Sequence, residues 1–318
     1  MNCNIGIDIG GTKLLGAVVR EDGSLAARLE TPTSGISSGD VLVEMIEQLQ
    51  QQCPYGLGAI GLAIAGFVES ATGKVAFAPN VREIDSDIRD QIADRFGVSV
   101  VTENDANAAA WAEGRLGAAA EAKNFIMLTV GTGVGGGIII NGELYRGANG
   151  FAAEFGHMVV RGGEEHLCSC GQAGCLEAVA SGTALGRMAR RKAIALGGSN
   201  SGNSKVLTLA GGDAAAITGT MVGEAAQSGD HFALELLEQL GASLALGLVG
   251  LAHAFDPEMI VIGGGVAEVG ELFLGPARRA LASLFEGTVA PPPVVQAKLG
   301  NDAGAIGAAL LAGLAGNS

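Results

Sequence analysis

Residues 5–19, IGIDIGGTKLLGAVV, and residues 124–140, NFIMLTVGTGVGGGIII, each set a glycine turn between two apolar stretches. Each reads as strand, glycine loop, strand. The unit occurs twice, about one domain apart on the usual ~150-residue scale, in a chain of 318 residues. Alternating helix and strand patterns follow both copies, so the expected architecture is two α/β halves.

Helical spacing marks Val41, Leu42, Met45, Ile46 and Leu49, and again Ile84, Ile88, Ile92 and Phe96. Leu57–Ala65 and Val98–Thr102 read as strands, the second ending in Glu103-Asn104-Asp105. Ala106–Leu116 is an alanine-rich helix that Asn104 or Asp105 is placed to cap. Further on, helices are predicted over about 176–195, 213–227, 231–255, 271–286 and 303–314, and strands over 259–262 and 294–299. Residues 197–204, GGSNSGNS, read as a surface loop.

The glycine loops fit neither common nucleotide motif. Gly6 to Gly11 has the spacing of a Walker A loop, but Thr12-Lys13 stands in the wrong order and a strand follows. Gly131, Gly133 and Gly136 match the letters of a dinucleotide fingerprint, but Ile138-Ile139-Ile140 follows where a helix is required. What remains is a pair of hairpin loops whose backbone N–H groups can approach phosphate oxygens. Gly263-Gly264-Gly265 offers a third such turn. Asp8 lies just before the first loop, where a carboxylate about 5 Å from a phosphate would repel it by roughly 3 kcal/mol at an effective dielectric of 20. A Mg²⁺ ion reverses that sign, so Asp8 is assigned to Mg²⁺, through water.

Three of the 5 cysteines fall within Cys168–Cys175, in the run EFGHMVVRGGEEHLCSCGQAGCLE. Cys168, Cys170 and Cys175 with His157 make a Cys₃His set suited to a structural zinc. His166 competes as the nitrogen ligand; His157 is preferred because ten residues separate it from Cys168 and leave it room to close. Cys3 and Cys53 read as small apolar core residues.

The segments IGIDIGGTK, ENDANAAAW, GTGVGGG, EFGH with CSCGQAGCLE, and IVIGGG occur in an order that resembles the ROK family of sugar kinases, most of all its bacterial glucokinases. The likeness runs from about residue 4 to 312. It implies an actin-like ATPase (ribonuclease H-like) α/β fold of two domains around a nucleotide and sugar cleft. The expected division is 1–108 plus 303–318, and 109–302. It implies ATP-dependent phosphorylation of glucose at the 6-hydroxyl, with Asp105 as general base. Gly66, Asn80, Asn104, Glu154, His157 and Glu177 match sugar-contacting positions, and His157 would serve zinc with one ring nitrogen and sugar with the other. Gly10, Gly11, Thr12, Lys13, Thr132 and Gly133 match phosphate positions, and Gly264 and Gly265 the adenosine side. The implied cofactors are Mg²⁺ with ATP and a structural Zn²⁺, and the implied assembly is a homodimer or homotetramer. One departure is that Pro79-Asn80 is followed by Val81-Arg82-Glu83-Ile84, where many such glucokinases carry a Trp. Asp105 at a helix start is expected to stay ionised through the helix dipole.

Composition bears on the alternatives. A net charge of -14 disfavours nucleic acid, anionic membranes and a polyphosphate donor. A sugar-responsive repressor of the same fold would carry a helix-turn-helix before the first strand, where only four residues stand. Fructose or N-acetylhexosamine kinases remain alternatives within the class. The run Leu240–Phe255, broken by Ser243 and stopped by Asp256-Pro257, is shorter than the ~18 residues of a spanning helix and reads as a core helix. A strand pattern starting at Ile5, with no secretory signal, leads to the expectation of a soluble cytoplasmic protein.

Overall fold

The first glycine turn closes a hairpin. β1 (Cys3–Ile9) and β2 (Lys13–Arg20) pair antiparallel, with Ile9 opposite Leu14. The Gly10 N–H donates to the Lys13 carbonyl at 3.0 Å and ties the turn. The computed structural model describes residues 3–11, 13–32, 38–53, 56–78, 81, 84–162, 166–196 and 204–315. Thr12, Asn80 and nearly all of the 197–204 loop lie outside these residues.

β3 (Leu25–Pro32) extends the sheet beyond β2. None of its residues is fully buried, and from Ala27 to Pro32 partly buried and exposed positions alternate. α1 (Ser38–Gln50) lays Leu42, Met45, Ile46 and Leu49 into the core. β4 (Leu57–Ile64) runs parallel to β1, and β5 (Phe67–Val68) with β6 (Val75–Phe77) forms a small ribbon. α2 (Ile88–Phe96) starts at Ile88 rather than Ile84. Turns over Asp85–Asp87 interpose, with the Asp85 carboxylate accepting the Asp87 N–H at 3.1 Å, and Ile84 packs on the core outside any helix. β7 (Ser99–Asn104) runs parallel to β4 and leads directly into α3 (Asp105–Leu116). The sheet order is β3-β2-β1-β4-β7.

The same order returns later in the chain. β8 (Phe125–Val130), β9 (Val134–Ile140), β10 (Glu143–Leu144), β11 (Met259–Gly263) and β12 (Val294–Gln296) form a sheet in the order β10-β9-β8-β11-β12. β8, β11 and β12 are parallel, as β1, β4 and β7 are. The helices are α4 (Leu176–Ala180), α5 (Gly182–Ala195), α6 (Lys205–Leu209), α7 (Gly219–Gln227), α8 (His231–Phe255), α9 (Glu271–Leu284) and α10 (Ala303–Ala315).

Two of the expected helices are divided. The 176–195 helix breaks at Ser181, whose hydroxyl caps α5 by accepting the Ala184 N–H at 3.1 Å, while the Gly182 N–H turns to the Gly131 carbonyl. The 213–227 helix is a short 3₁₀ turn at Ala214–Ala216, then α7 capped by Thr218. α8 ends at Asp256, which adopts φ 44° as its cap. Its length and composition would allow a membrane span, but Leu237, Leu240, Leu244, Leu248 and Leu251 are buried along one side and it packs along α9.

By its internal packing the chain divides into two compact units, one of residues 1–124, 137–153 and 298–318, the other of 125–136 and 154–297. The first unit has its core under the β3-β2-β1-β4-β7 sheet. α10 lies across β1, β4 and α3. It comes so close that a Cβ at Gly6 would overlap the Ala305 carbonyl, and one at Gly307 the Ala108 carbonyl. Glycine there lets α10 touch backbone to backbone and fix β1 and α3 against each other.

Candidate active site

In the first unit the acidic side chains gather at the carboxyl ends of the parallel strands, where open α/β sheets place their ligands. Asp8 sits opposite Ala63 on β4, and Ala63 opposite Glu103 on β7. Asn104 is the cap of α3, its side-chain oxygen accepting the Asn107 N–H at 3.0 Å. Its amide donates to the Gly66 carbonyl at 3.1 Å, which joins two predicted sugar residues, Gly66 and Asn104. Asp105 follows as the first residue of α3 and accepts the Ala106 N–H at 2.9 Å.

Burial dominates the charges here. It pushes the Asp8 carboxyl up to about 7, the nearby Asp105 charge adds to the rise, and the Lys13 ammonium opposes it. Asp105 is pushed up to about 6, again by burial, against the pull of the Ala106 and Asp105 N–H groups and the Asn104 side chain. The N–H groups at the helix start lower the Asp105 carboxyl, as expected, but desolvation outweighs them. At neutral pH Asp105 is still mostly a carboxylate. α10 also bounds this place, because a Cβ at Gly304 would stand 2.6 Å from an Asp8 carboxylate oxygen.

Gly10 and Gly11 form the β1–β2 turn. Lys13 reaches Glu30 at 3.3 Å, an exposed pair of little intrinsic strength. Around Gly66 stands an aromatic group that the sequence pattern does not announce. Phe67 and Phe77 face each other across the β5–β6 ribbon at 6.3 Å, and Phe151 meets Phe67 edge-on at 5.4 Å. Phe77 is 59% exposed.

The second unit gathers the other predicted residues. The turn at Gly131-Thr132-Gly133 is held by the Gly131 N–H donating to Gly133 O at 2.9 Å and by the Thr183 hydroxyl donating to Thr132 O at 2.7 Å. Thr132 and Gly265 line a cavity of about 720 Å³, with α5 and α7 forming much of its wall. That size suits a nucleoside. Gly133 and Gly264 are not among its lining residues; Gly264 packs beneath, against Val130. Glu177 accepts the Val134 N–H at 3.1 Å through one carboxylate oxygen and the Ser169 hydroxyl at 3.1 Å through the other. It thus joins the glycine loop to the cysteine loop.

His157, Cys168, Cys170 and Cys175 place their ligand atoms within 4.8 Å of one another. His157, rather than the competing His166, is the nitrogen member. Cys170 and Cys175 sulfurs are 3.7 Å apart, and the Cys168 sulfur is 3.7 Å from His157 Nδ1. Tetrahedral bonds of about 2.3 Å require sulfur–sulfur edges of about 3.8 Å, so the set fits zinc. The His157 Nε2 turns the other way, 4.0 Å from Glu154. Burial and the neighbouring thiols push the Cys175 thiol up to about 12.

The ROK family model matches residues 4–314. A glucokinase of Streptomyces coelicolor is 39% identical over 318 residues, covering 98% of this chain and 98% of that protein. The crystal structure of a ROK family glucokinase from Streptomyces griseus, in complex with glucose and AMPPNP, superposes with a TM-score of 0.84 at 39% identity, over 98% of this chain and 99% of that one. The xylose repressor of Bacillus subtilis is 30% identical over 287 residues, 88% of this chain and 68% of the repressor.

Proposed function

This chain belongs to the ROK family, and we propose that it is a cytoplasmic glucokinase that transfers the γ-phosphoryl group of ATP to the 6-hydroxyl of glucose. The fold is the actin-like ATPase, ribonuclease H-like α/β fold of its structural relatives. The observation that carries the reading is the pair Asp8 and Asp105, two half-buried carboxylates at the strand ends of the first unit.

Asp105 accepts the proton of the 6-hydroxyl, whose oxygen attacks the γ-phosphorus as the bond to ADP breaks. Its carboxyl, near 6, suits a general base, being ionised at pH 7 yet basic enough to take a proton in the transition state. Asn104, tied to Gly66, orients the sugar, with Asn80 completing that side. The apolar face of the hexose lies against the Phe67 and Phe151 rings in place of the missing Trp. Glu154, His157 Nε2 and Glu177 receive further hydroxyls. Gly10 ties the turn through its bond to Lys13, and the N–H groups of Gly11 and Gly133, the Thr12 and Thr132 hydroxyls, and the Lys13 ammonium contact the phosphates. The adenosine occupies the cavity beside Gly265, with Gly264 shaping its floor.

Two metals fit residues present. Asp8 would hold Mg²⁺ through water; when bound, Mg²⁺ screens the phosphate charge that Asp8 would otherwise repel. His157, Cys168, Cys170 and Cys175 would hold Zn²⁺, which would supply structural order to the loop leading into Glu177 on α4 rather than chemistry.

A phosphate-transfer panel tests the reading: glucose, fructose, mannose and the N-acetyl sugars, each with ATP and with polyphosphate. ATP-dependent turnover of glucose with the highest kcat/KM is expected. Preference for another hexose or for polyphosphate would replace the substrate assignment. Absence of all turnover with retention of duplex DNA in a gel shift would place the chain functionally with the xylose repressors.

A further inference from the structure

Glu103 is 6% exposed and takes no part in the phosphoryl transfer just described. Three donors converge on it. One carboxylate oxygen accepts the Asn104 N–H at 3.0 Å and the Asn107 side-chain amide at 3.0 Å, and the other accepts Arg146 Nε at 2.6 Å. A carboxylate in such a place costs several kcal/mol unless paired, and Arg146, 36% exposed, is its only cation in this set of contacts. Glu103 is not needed to cap α3, since Asn104 already does so. A neutral side chain would fill the space at lower cost if packing were the only requirement.

The three bonds act on one thing, the junction of β7 and α3. The bond to the Asn104 N–H holds the peptide at which the chain turns from strand into helix, where Asn104 has φ −63° and ψ 144°. The bond to Asn107 grips the first helical turn from beneath. Arg146 belongs to a separate segment, itself braced by its carbonyl accepting the Ala152 N–H at 3.1 Å, and it anchors Glu103 from 43 positions away. Between these grips stand Asn104 and Asp105. A shift of about 1 Å at a reacting group costs on the order of 100-fold in rate.

We infer that Glu103 and Arg146 form a positioning pair, which touches neither substrate but sets the direction in which Asp105 and Asn104 meet the sugar. The inference rests on the hexose kinase reading and extends it to residues outside the reacting set. Removing either member lets the junction relax while the helix stays capped, so the rate falls more than sugar affinity.

Steady-state kcat and glucose KM, with thermal melting, for Glu103→Gln, Arg146→Met, the double variant and Arg146→Lys test this. Each neutral single variant is expected to lose about 10–100-fold in kcat with glucose KM within about threefold. The double variant is expected to be no slower than the slower single one, because both act through the same junction. Arg146→Lys, which keeps the cation, is expected to retain at least about a third of kcat. If Glu103→Gln does not fold, Arg146→Met, at a partly exposed residue, carries the test with Arg146→Lys. A kcat within about twofold of wild type in the neutral single variants overturns the pair, as does a double variant whose loss equals the product of the single losses. Wild-type turnover is measured first: its absence refutes the kinase reading, whereas normal wild-type turnover with unaffected variants refutes only the pair.

Discussion

The two sheets share one strand order, yet their strand ends are furnished differently. In the first unit, the ends of β1 and β7 and the start of α3 bring Asp8, Glu103, Asn104 and Asp105, and burial makes the charge of Asp8 and Asp105 costly. In the second, β8 and β11 end in Gly131-Thr132-Gly133 and Gly263-Gly264-Gly265, which offer N–H groups and space. The second unit also holds a His157, Cys168, Cys170 and Cys175 cluster that could hold a metal ion. A repeated topology thus sets where ligands can be met, and the side chains divide the labour. On the proposed reading the first unit supplies the proton acceptor and the Mg²⁺ carboxylate, and the second supplies the nucleotide cavity and a zinc-ordered loop.

Stripping zinc should have the largest effect on this division. A metal-free preparation, checked by elemental analysis, is expected to lose more than about 100-fold in activity, since the ion's ~10–16 kcal/mol orders the Glu177 loop. Full activity without metal would deny the loop any part in sugar binding. Next come paired glycine variants, one in each unit. Gly304→Ala places a methyl 2.6 Å from Asp8; about tenfold lower kcat at unchanged glucose KM is expected. Gly265→Val, where a Cβ meets nothing within 4 Å, should fold normally and raise ATP KM about tenfold at similar kcat. Interchanged effects would break the comparison.

A smaller effect is the pH profile. With Asp105 near 6, kcat/KM should fall to about half near pH 6 and decline with unit slope below it. A profile flat to pH 5 would contradict the assignment. Smallest is a stability difference. The folded-state carboxyl of Asp105 is raised above its unfolded value of 3.8. Its favourable contribution is therefore complete below that value and lost as pH rises through about 6. Above this the buried charge weighs on folding, so Asp105→Asn should gain about 1–2 kcal/mol at pH 8, roughly 2–4 °C in Tm, and the gain should vanish by pH 4.

Much of this was legible in the sequence, for identifiable reasons. The two hairpins announce themselves through apolar runs around glycine, and the Asn104 cap through its place before an alanine-rich helix. The meeting of His157 with Cys168, Cys170 and Cys175 was readable because three cysteines cluster and ten residues let His157 close on them. What stayed hidden depends on contacts made far along the chain. The helix over 176–195 breaks because the Gly182 N–H is claimed by Gly131, which no local pattern records. The raised carboxyls of Asp8 and Asp105 come from burial, for Asp8 partly against Gly304 of α10, which the sequence places nearly three hundred residues beyond it. The Glu103–Arg146 pair spans 43 positions and has no local signature at all.

The most direct test is Asp105→Asn, with glucose affinity measured by calorimetry and kcat by a coupled assay on the same preparation. A dissociation constant for glucose within about threefold of wild type, with kcat lowered by at least about 1,000-fold, is the result expected of a base that acts only in the transition state. Turnover within about tenfold of wild type would place the base elsewhere and leave Asp105 as a helix-terminal residue.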